Sequence, residues 1–317
     1  MSKSITFLIN KSEITAGTRG ASLGPDAILT AARKKGSCLF GENKVHRLPN
    51  YNHLLDACTE YTYAKRIDGV LQIYNELNSS VSETLNQGAF PLIMAGDHGS
   101  AGGTIAGIRT AFPSKRLGVV WIDAHADIHT PYTTPSGNIH GMPLATALGI
   151  DNTECQSNEV DQKTIEQWHE LKNVGQIAPK IKPEDIVYIG VRSVEEQEVA
   201  VIDRLGIKNI PVAEVREKGV GQILSEIDQK LAACDILYVS FDVDSMDPQL
   251  TSHGTGTPVP DGLQPEEARG LLMGFAQNPK TVCLEVVEVN PCLDEKINTM
   301  AEVTFGLIEE FAQILKN

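Results

Sequence analysis

Three short clusters of acid and imidazole side chains follow directly on three apolar runs, and this coupling limits the possible architecture more than any other feature. The clusters are Gly96-Asp97-His98, Asp123-Ala124-His125-Ala126-Asp127 and Asp242-Val243-Asp244-Ser245-Met246-Asp247. The runs before them are Pro91–Ala95, Leu117–Ile122 and Ile236–Phe241. Each run reads as a strand buried on both faces of a parallel sheet. In open α/β sheets, ligands gather beyond the carboxyl ends of the strands, where all three clusters fall. One such cluster is common in ordinary loops; three point to one assembled site.

The rest of the chain alternates in the same way. Further strands are expected at Ile5–Asn10, Asp185–Val191, Lys208–Ala213 and Thr281–Val287. Helices are expected at about Asp26–Lys35, Arg66–Gln87, Ser100–Ala111, Gly221–Ala233, Pro265–Ala276 and Asn298–Leu315. Strands and helices in turn predict a three-layer α/β fold with a doubly wound, mostly parallel sheet. The 317 residues suffice for one large domain over 1–317, with the site at the carboxyl ends of the strands. Asp151–Pro183 is polar and irregular, and reads as a surface excursion with a short helix around Thr164–Leu171.

With 27 basic against 41 acidic residues the net charge is −14, which argues against nucleic acid or an anionic membrane as partner. A cationic small molecule suits that field. No apolar run is long enough to span a bilayer. The opening residues lack the apolar region of a secretion signal, so a cytoplasmic location is expected. The six cysteines are scattered with no Cys-x-x-Cys pair, as expected of reduced, structural thiols.

Asp123, His125 and Asp127 stand two residues apart, so at a strand end their side chains project together. Asp242 and Asp244 repeat the spacing, and His98 adds a second imidazole. Four carboxylates and two imidazoles form a mostly hard, oxygen-rich set that favours Mn²⁺ over a thiolate-bound zinc. Bridging carboxylates let six residues serve two ions and activate a water.

These residues closely resemble the ureohydrolase family of arginases, agmatinases and formimidoylglutamases. The family patterns GGDHS, DAHxD and SxDxDxxDP correspond to Ala95–Gly99, Asp123–Asp127 and Ser240–Pro248. The resemblance runs on through Gly254-Thr-Gly-Thr-Pro258 and Glu288-Val-Asn-Pro291. The loop Asp127–Gly141, with its Ser-Gly-Asn-x-His-Gly run, is most similar to arginases. The resemblance implies hydrolysis of L-arginine to L-ornithine and urea by a hydroxide bridging two Mn²⁺ ions per subunit. It puts His98, Asp123, Asp127 and Asp242 on one ion, and Asp123, His125, Asp242 and Asp244 on the other. It makes His140 the proton shuttle, lets Asp127 accept from the intermediate, and sets Glu288 to grip the guanidinium. It assigns His129, Thr134, Ser136 and Asn138 to the substrate's α-carboxylate, Glu195 and Glu198 to its α-amino group, and Thr257 to the pocket edge. It also implies a homotrimer or homohexamer.

The chain departs from the arginase pattern in four places. His129 replaces the usual asparagine, Ala95 and Gly99 replace Gly and Ser, and Glu195 replaces Asp. Two other functions fit the same residues. Another guanidino hydrolase, such as agmatinase or guanidinobutyrase, would turn over a substrate without the α-carboxylate. A metal-stabilised regulatory protein would hold the ions and release no urea.

Overall fold

A computed structural model describes residues 3–317. Eight parallel strands form one sheet: β1 (Ile5–Asn10), β2 (Lys44–Arg47), β3 (Phe90–Ala95), β4 (Leu117–Ile122), β5 (Ile186–Ile189), β6 (Lys208–Ile210), β7 (Ile236–Asp242) and β8 (Thr281–Val287). Their spatial order is β2-β1-β3-β8-β7-β4-β5-β6. The fold is the expected doubly wound three-layer α/β class, and every strand pairing between them is parallel.

Alternate residues of each strand feed the two cores. Phe7, Leu92, Val120, Val239 and Val286 face helices Gly24–Lys35, Val220–Lys230, Pro265–Gln277 and Thr299–Lys316. Leu8, Ile93, Val119, Trp121 and Tyr238 face the opposite way. That face is covered by helices Ile67–Asn86, Ala101–Ala111 and Pro143–Leu148. The central strands are buried along their whole length, which is why they read as continuous apolar runs.

Strand order explains where a site can form. β3 and β4 follow one another in the chain, yet β8 and β7 lie between them. The connections diverge there and leave a crevice above the carboxyl ends. Register levels the ends: Ile122 pairs with Phe241, and Asp242 with Val287. Asp123, Asp242 and Glu288 therefore emerge side by side.

Four local expectations change. β2 is an additional strand, and its exposed Lys44, His46 and Arg47 carry no apolar signal; a charged edge resists pairing with other chains. β6 stops at Ile210 because Pro211 follows, and Val212–Lys218 is helical instead. Helix Glu196–Leu205 was not anticipated. The Asp151–Pro183 segment is no mere excursion. Its helix, Gln162–Lys172, buries Trp168 and Leu171 in the core beside helix Ile67–Asn86, and the Trp168 indole donates to Asp151 at 2.8 Å. Only one narrow stripe of that helix is apolar, so its polar composition concealed the docking.

Candidate active site

The floor of the site is built from strand ends. His98 opens a short turn after β3, Asp123 and His125 follow β4, and Asp242 ends β7 with Asp244 just beyond. His98 Nδ1 lies 2.9 Å from Asp123 Oδ2, 3.1 Å from Asp127 Oδ2 and 3.2 Å from Asp242 Oδ2. His125 Nδ1 lies 3.5 Å from Asp123 Oδ1 and 3.2 Å from Asp244 Oδ2. Asp123 belongs to both groups and is fully buried. The six expected ligands thus converge as two adjoining sets.

The donor geometry fits cations. Ligands about 2.1 Å from a small hard ion in an octahedron stand about 3 Å apart along an edge. His98 Nδ1 and Asp123 Oδ2 are both buried without a hydrogen-bond partner, although they face each other. His98 Nε2 meets Ser240 Oγ at 2.7 Å. If Nε2 carries the proton and donates to that hydroxyl, Nδ1 presents its lone pair to the carboxylates.

Without an ion the cluster is electrostatically in conflict. Burial, and then neighbouring carboxylate charge, pushes Asp127 and Asp242 above the usual carboxylate range. Burial also raises Asp244, against the pull of His125. Burial opposes charge on His98, but Asp123, Asp127 and Asp242 outweigh it and hold the imidazole up. Asp123 moves the other way: burial opposes its charge, and His125 and His98 overcome that. Divalent cations would satisfy all of these groups together.

Two site residues have positive φ without being glycine, Asp127 at 51° and Glu288 at 68°. Such backbone costs about 1–3 kcal/mol and persists where surrounding contacts enforce it. The Glu288 turn returns its side chain to the site, where Oε1 accepts the His98 amide at 2.9 Å and lies 3.8 Å from His140 Nδ1. Burial disfavours a charged His140, yet Glu288 raises it overall.

Above the floor lies a cleft of about 180 Å³. Its walls include His98, His125, Asp127, His129, Thr134, Ser136, Asn138, His140, Glu195, Glu198, Asp242, Thr257 and Glu288. Every expected substrate residue is among them. Asp123 and Asp244 lie beneath, fully enclosed.

Several of these groups have structural partners as well. Thr134 Oγ1 accepts the amides of Ser136 and Gly137, and Ser136 Oγ accepts that of Asn138, so the loop is braced by its own hydroxyls. Both hydroxyl protons remain free to donate to a ligand. Gly137, at φ 76°, allows close approach, since a Cβ there would stand 2.1 Å from the Thr62 carbonyl. Thr257 Oγ1 donates to Asp244 Oδ2 at 3.0 Å, so it orients a floor carboxylate from the pocket edge. Glu195 and Glu198 form the reciprocal cap of helix Glu196–Leu205.

Some participants escaped sequence reasoning. Trp121 stacks on the His98 ring at 4.0 Å and 5°, and Ser240 holds its far nitrogen. Each sits on a strand two residues before a floor acid, Asp123 or Asp242, which is the one available signal. Buried Asp97 accepts the Thr15 amide at 2.9 Å, and the Thr15 carbonyl accepts the His140 amide at 3.3 Å. Ser240→Ala should weaken cation affinity about 10–100-fold, the usual loss of an outer partner to a ligating imidazole. Metal-competition titration reads this directly.

At Gly99, a Cβ would stand 2.4 Å from Thr15 Oγ1. The threonine fills the space that a side chain at 99 would need. Gly99→Ala should cost about 1–3 kcal/mol of stability from overpacking, and Thr15→Ala in the same chain should restore most of it. Urea unfolding of the single and double variants tests the pairing.

Comparison with known proteins accords with this geometry. The Arginase family model matches residues 5–313. The arginase of Brevibacillus brevis is 34% identical over 309 residues, covering 97% of each chain. The solved arginase of Bacillus caldovelox superposes with a TM-score of 0.82 at 32% identity, covering 98% of both chains. The Entamoeba histolytica arginase, solved in complex with L-ornithine, gives a TM-score of 0.80 at 27% identity, covering 98% of this chain and 99% of that one. Among the described residues no helix is long and apolar enough to cross a membrane. With its strand-end acid and imidazole clusters, its fold and a family match over nearly its whole length, this chain belongs to the arginase family of hydrolases acting on carbon–nitrogen bonds.

Proposed function

We propose that this protein hydrolyses L-arginine to L-ornithine and urea. One observation carries the reading: a single cleft has the cation cluster, Glu288 and His140 at its base and the Thr134–Asn138 loop at its mouth. A side-chain guanidinium and the two α-substituents of an amino acid need those two ends.

His98, Asp123, Asp127, Asp242, His125 and Asp244 would hold two divalent cations, and the oxygen-rich donor set favours manganese. Bound there, the cations would supply an activated water and electrostatic stabilisation of developing charge. Glu288 accepts hydrogen bonds from the planar guanidinium, with Oε1 pinned by the His98 amide. That orients the reacting carbon over the floor. Asp127, held at its enforced φ, would accept a hydrogen bond from the reacting group as well as hold a cation. His140, its pKa raised against burial by Glu288 3.8 Å away, passes a proton to the departing amine. At the mouth, Thr134, Ser136, Asn138 and His129 donate to the α-carboxylate, while Glu195 and Glu198 receive the α-ammonium.

The decisive measurement is urea release by manganese-loaded protein offered L-arginine and agmatine at equal concentration. Turnover of arginine should exceed that of agmatine by about 10²-fold or more in kcat/KM, because polar groups built to meet a carboxylate are left unpaired by its absence. Preference for agmatine would transfer the assignment to a guanidino hydrolase that does not read a carboxylate. Silence with every guanidino substrate would favour the regulatory protein.

A further inference from the structure

A second donor cluster stands at the mouth of the cleft, outside the floor. His129 Nε2 lies 3.2 Å from Glu195 Oε2 and 3.7 Å from Glu198 Oε2. We propose that His129, Glu195 and Glu198 form a third cation site, suited to zinc, whose occupation closes the cleft to substrate. The site stands on its own geometry; only the inhibitory consequence rests on the proposed arginine hydrolysis.

The separations suit the ion. Donors about 2.0–2.1 Å from a tetrahedral zinc stand about 3.3 Å apart, a value between the two observed distances. Imidazole and carboxylate are both donor types that zinc takes, and three protein ligands leave the fourth position of a tetrahedron open.

The supporting contacts are those of a ligating histidine. His129 Nδ1 meets Thr133 Oγ1 at 3.1 Å, and the Thr133 hydroxyl oxygen is itself anchored by the Thr130 amide at 3.0 Å. A proton on Nδ1 then donates to Thr133 and leaves the Nε2 lone pair facing the two carboxylates. Glu198 is 3% exposed, and its oxygens accept the amides of Glu195 at 3.2 Å and Ile128 at 3.4 Å. Those bonds orient the carboxylate without neutralising it. Among the described residues no lysine or arginine nitrogen lies within 4.0 Å of either glutamate. Glu195 is half exposed, so an ion can enter from solvent.

The departure from the family pattern is what creates the site. An asparagine at 129 would offer a neutral amide in place of the imidazole. With His129, the groups assigned to the substrate's α-substituents can instead close on a metal. Zinc there would occupy the Glu195–Glu198 position that the α-ammonium needs.

The test is zinc binding to protein already loaded with manganese, followed by equilibrium dialysis and elemental analysis of both metals. About one further zinc per chain should bind while manganese is retained. His129→Asn and Glu198→Gln should each lower that zinc affinity by more than the 10–100-fold typical of an outer-partner loss. In the unaltered protein the zinc should raise the apparent KM for arginine without changing kcat. Zinc that enters only by displacing manganese overturns the site, as does extra zinc that survives His129→Asn unchanged. Because binding is read by stoichiometry, a failure of arginine turnover would not disguise either result.

Discussion

Asp123→Asn should strip both cations from the protein and lower turnover beyond about 10³-fold. The residue is fully buried and shared by the two ligand sets, so neither set keeps its geometry when that carboxylate becomes an amide. Loss of a single oxyanion donor alone costs about 10²–10³ in rate, and here the whole source of charge stabilisation goes. Fold stability should fall as well. In the metal-free protein burial opposes the Asp123 charge, but His125 and His98 outweigh it and hold the carboxyl below the usual carboxylate range. Its charge therefore stabilises the fold at neutral pH even though it also raises Asp127 and Asp242. The metal-free variant should melt earlier than the metal-free parent. Adding manganese at 100 times its Kd should stabilise the parent by about 2.7 kcal/mol and leave the variant unmoved. Thermal melts with and without chelator, alongside metal analysis, decide it. A variant that kept one cation tightly bound would show the two sets to be independent.

His140→Ala should slow turnover about 10²–10⁴-fold while both cations stay bound, the usual range for loss of a positioned acid. Among the described residues, the His140 side chain pairs with Glu288, 3.8 Å away, and its backbone is held independently by the Thr15 carbonyl. Truncation therefore removes a proton without removing a ligand. The pH profile gives a second readout. A general acid works while protonated, so activity falls as pH rises through its pKa. Glu288 raises His140, which moves that alkaline limb upward. In His140→Ala the limb should vanish, leaving a low, flatter rate. Loss of metal from this variant would mean that His140 is a ligand and the proton comes from elsewhere.

Particular residues show how far the chain can be read unaided. Five of the six candidate ligands of the floor were legible because two-residue spacing after a buried apolar run leaves few geometries open, and His98 because it too follows such a run. Their grouping into two sets sharing Asp123 and Asp242 was implied by the family resemblance; the observed distances put Asp123 in both sets and bring Asp242 to His98. Ser240 and Trp121 were less accessible. The contact of Ser240 with His98 joins residues 142 positions apart, and nothing local distinguishes that serine from any other on a strand. Asp97 and Thr15 form a link of the same kind, across 82 positions. β2 was missed because three of its four residues, Lys44, His46 and Arg47, are basic or imidazole side chains where a strand signal would be apolar.

Local composition thus determined the element types, the burial of the central strands and the residues able to bind a cation. Periodicity and charge are properties of a few neighbouring residues, so the chain states them directly. Strand order was decided only in three dimensions. A continuous apolar run is compatible with any interior place in a sheet, and only packing sets β8 and β7 between β3 and β4. That placement opens the crevice and brings four strand ends level. It also delivers Glu288 to His98, across 190 residues, through a backbone turn that no propensity favours. The partnership of His129 with Glu195 and Glu198 has the same origin. Each residue has its own local role, in a loop or in a helix cap, and only the closed tertiary structure makes them neighbours.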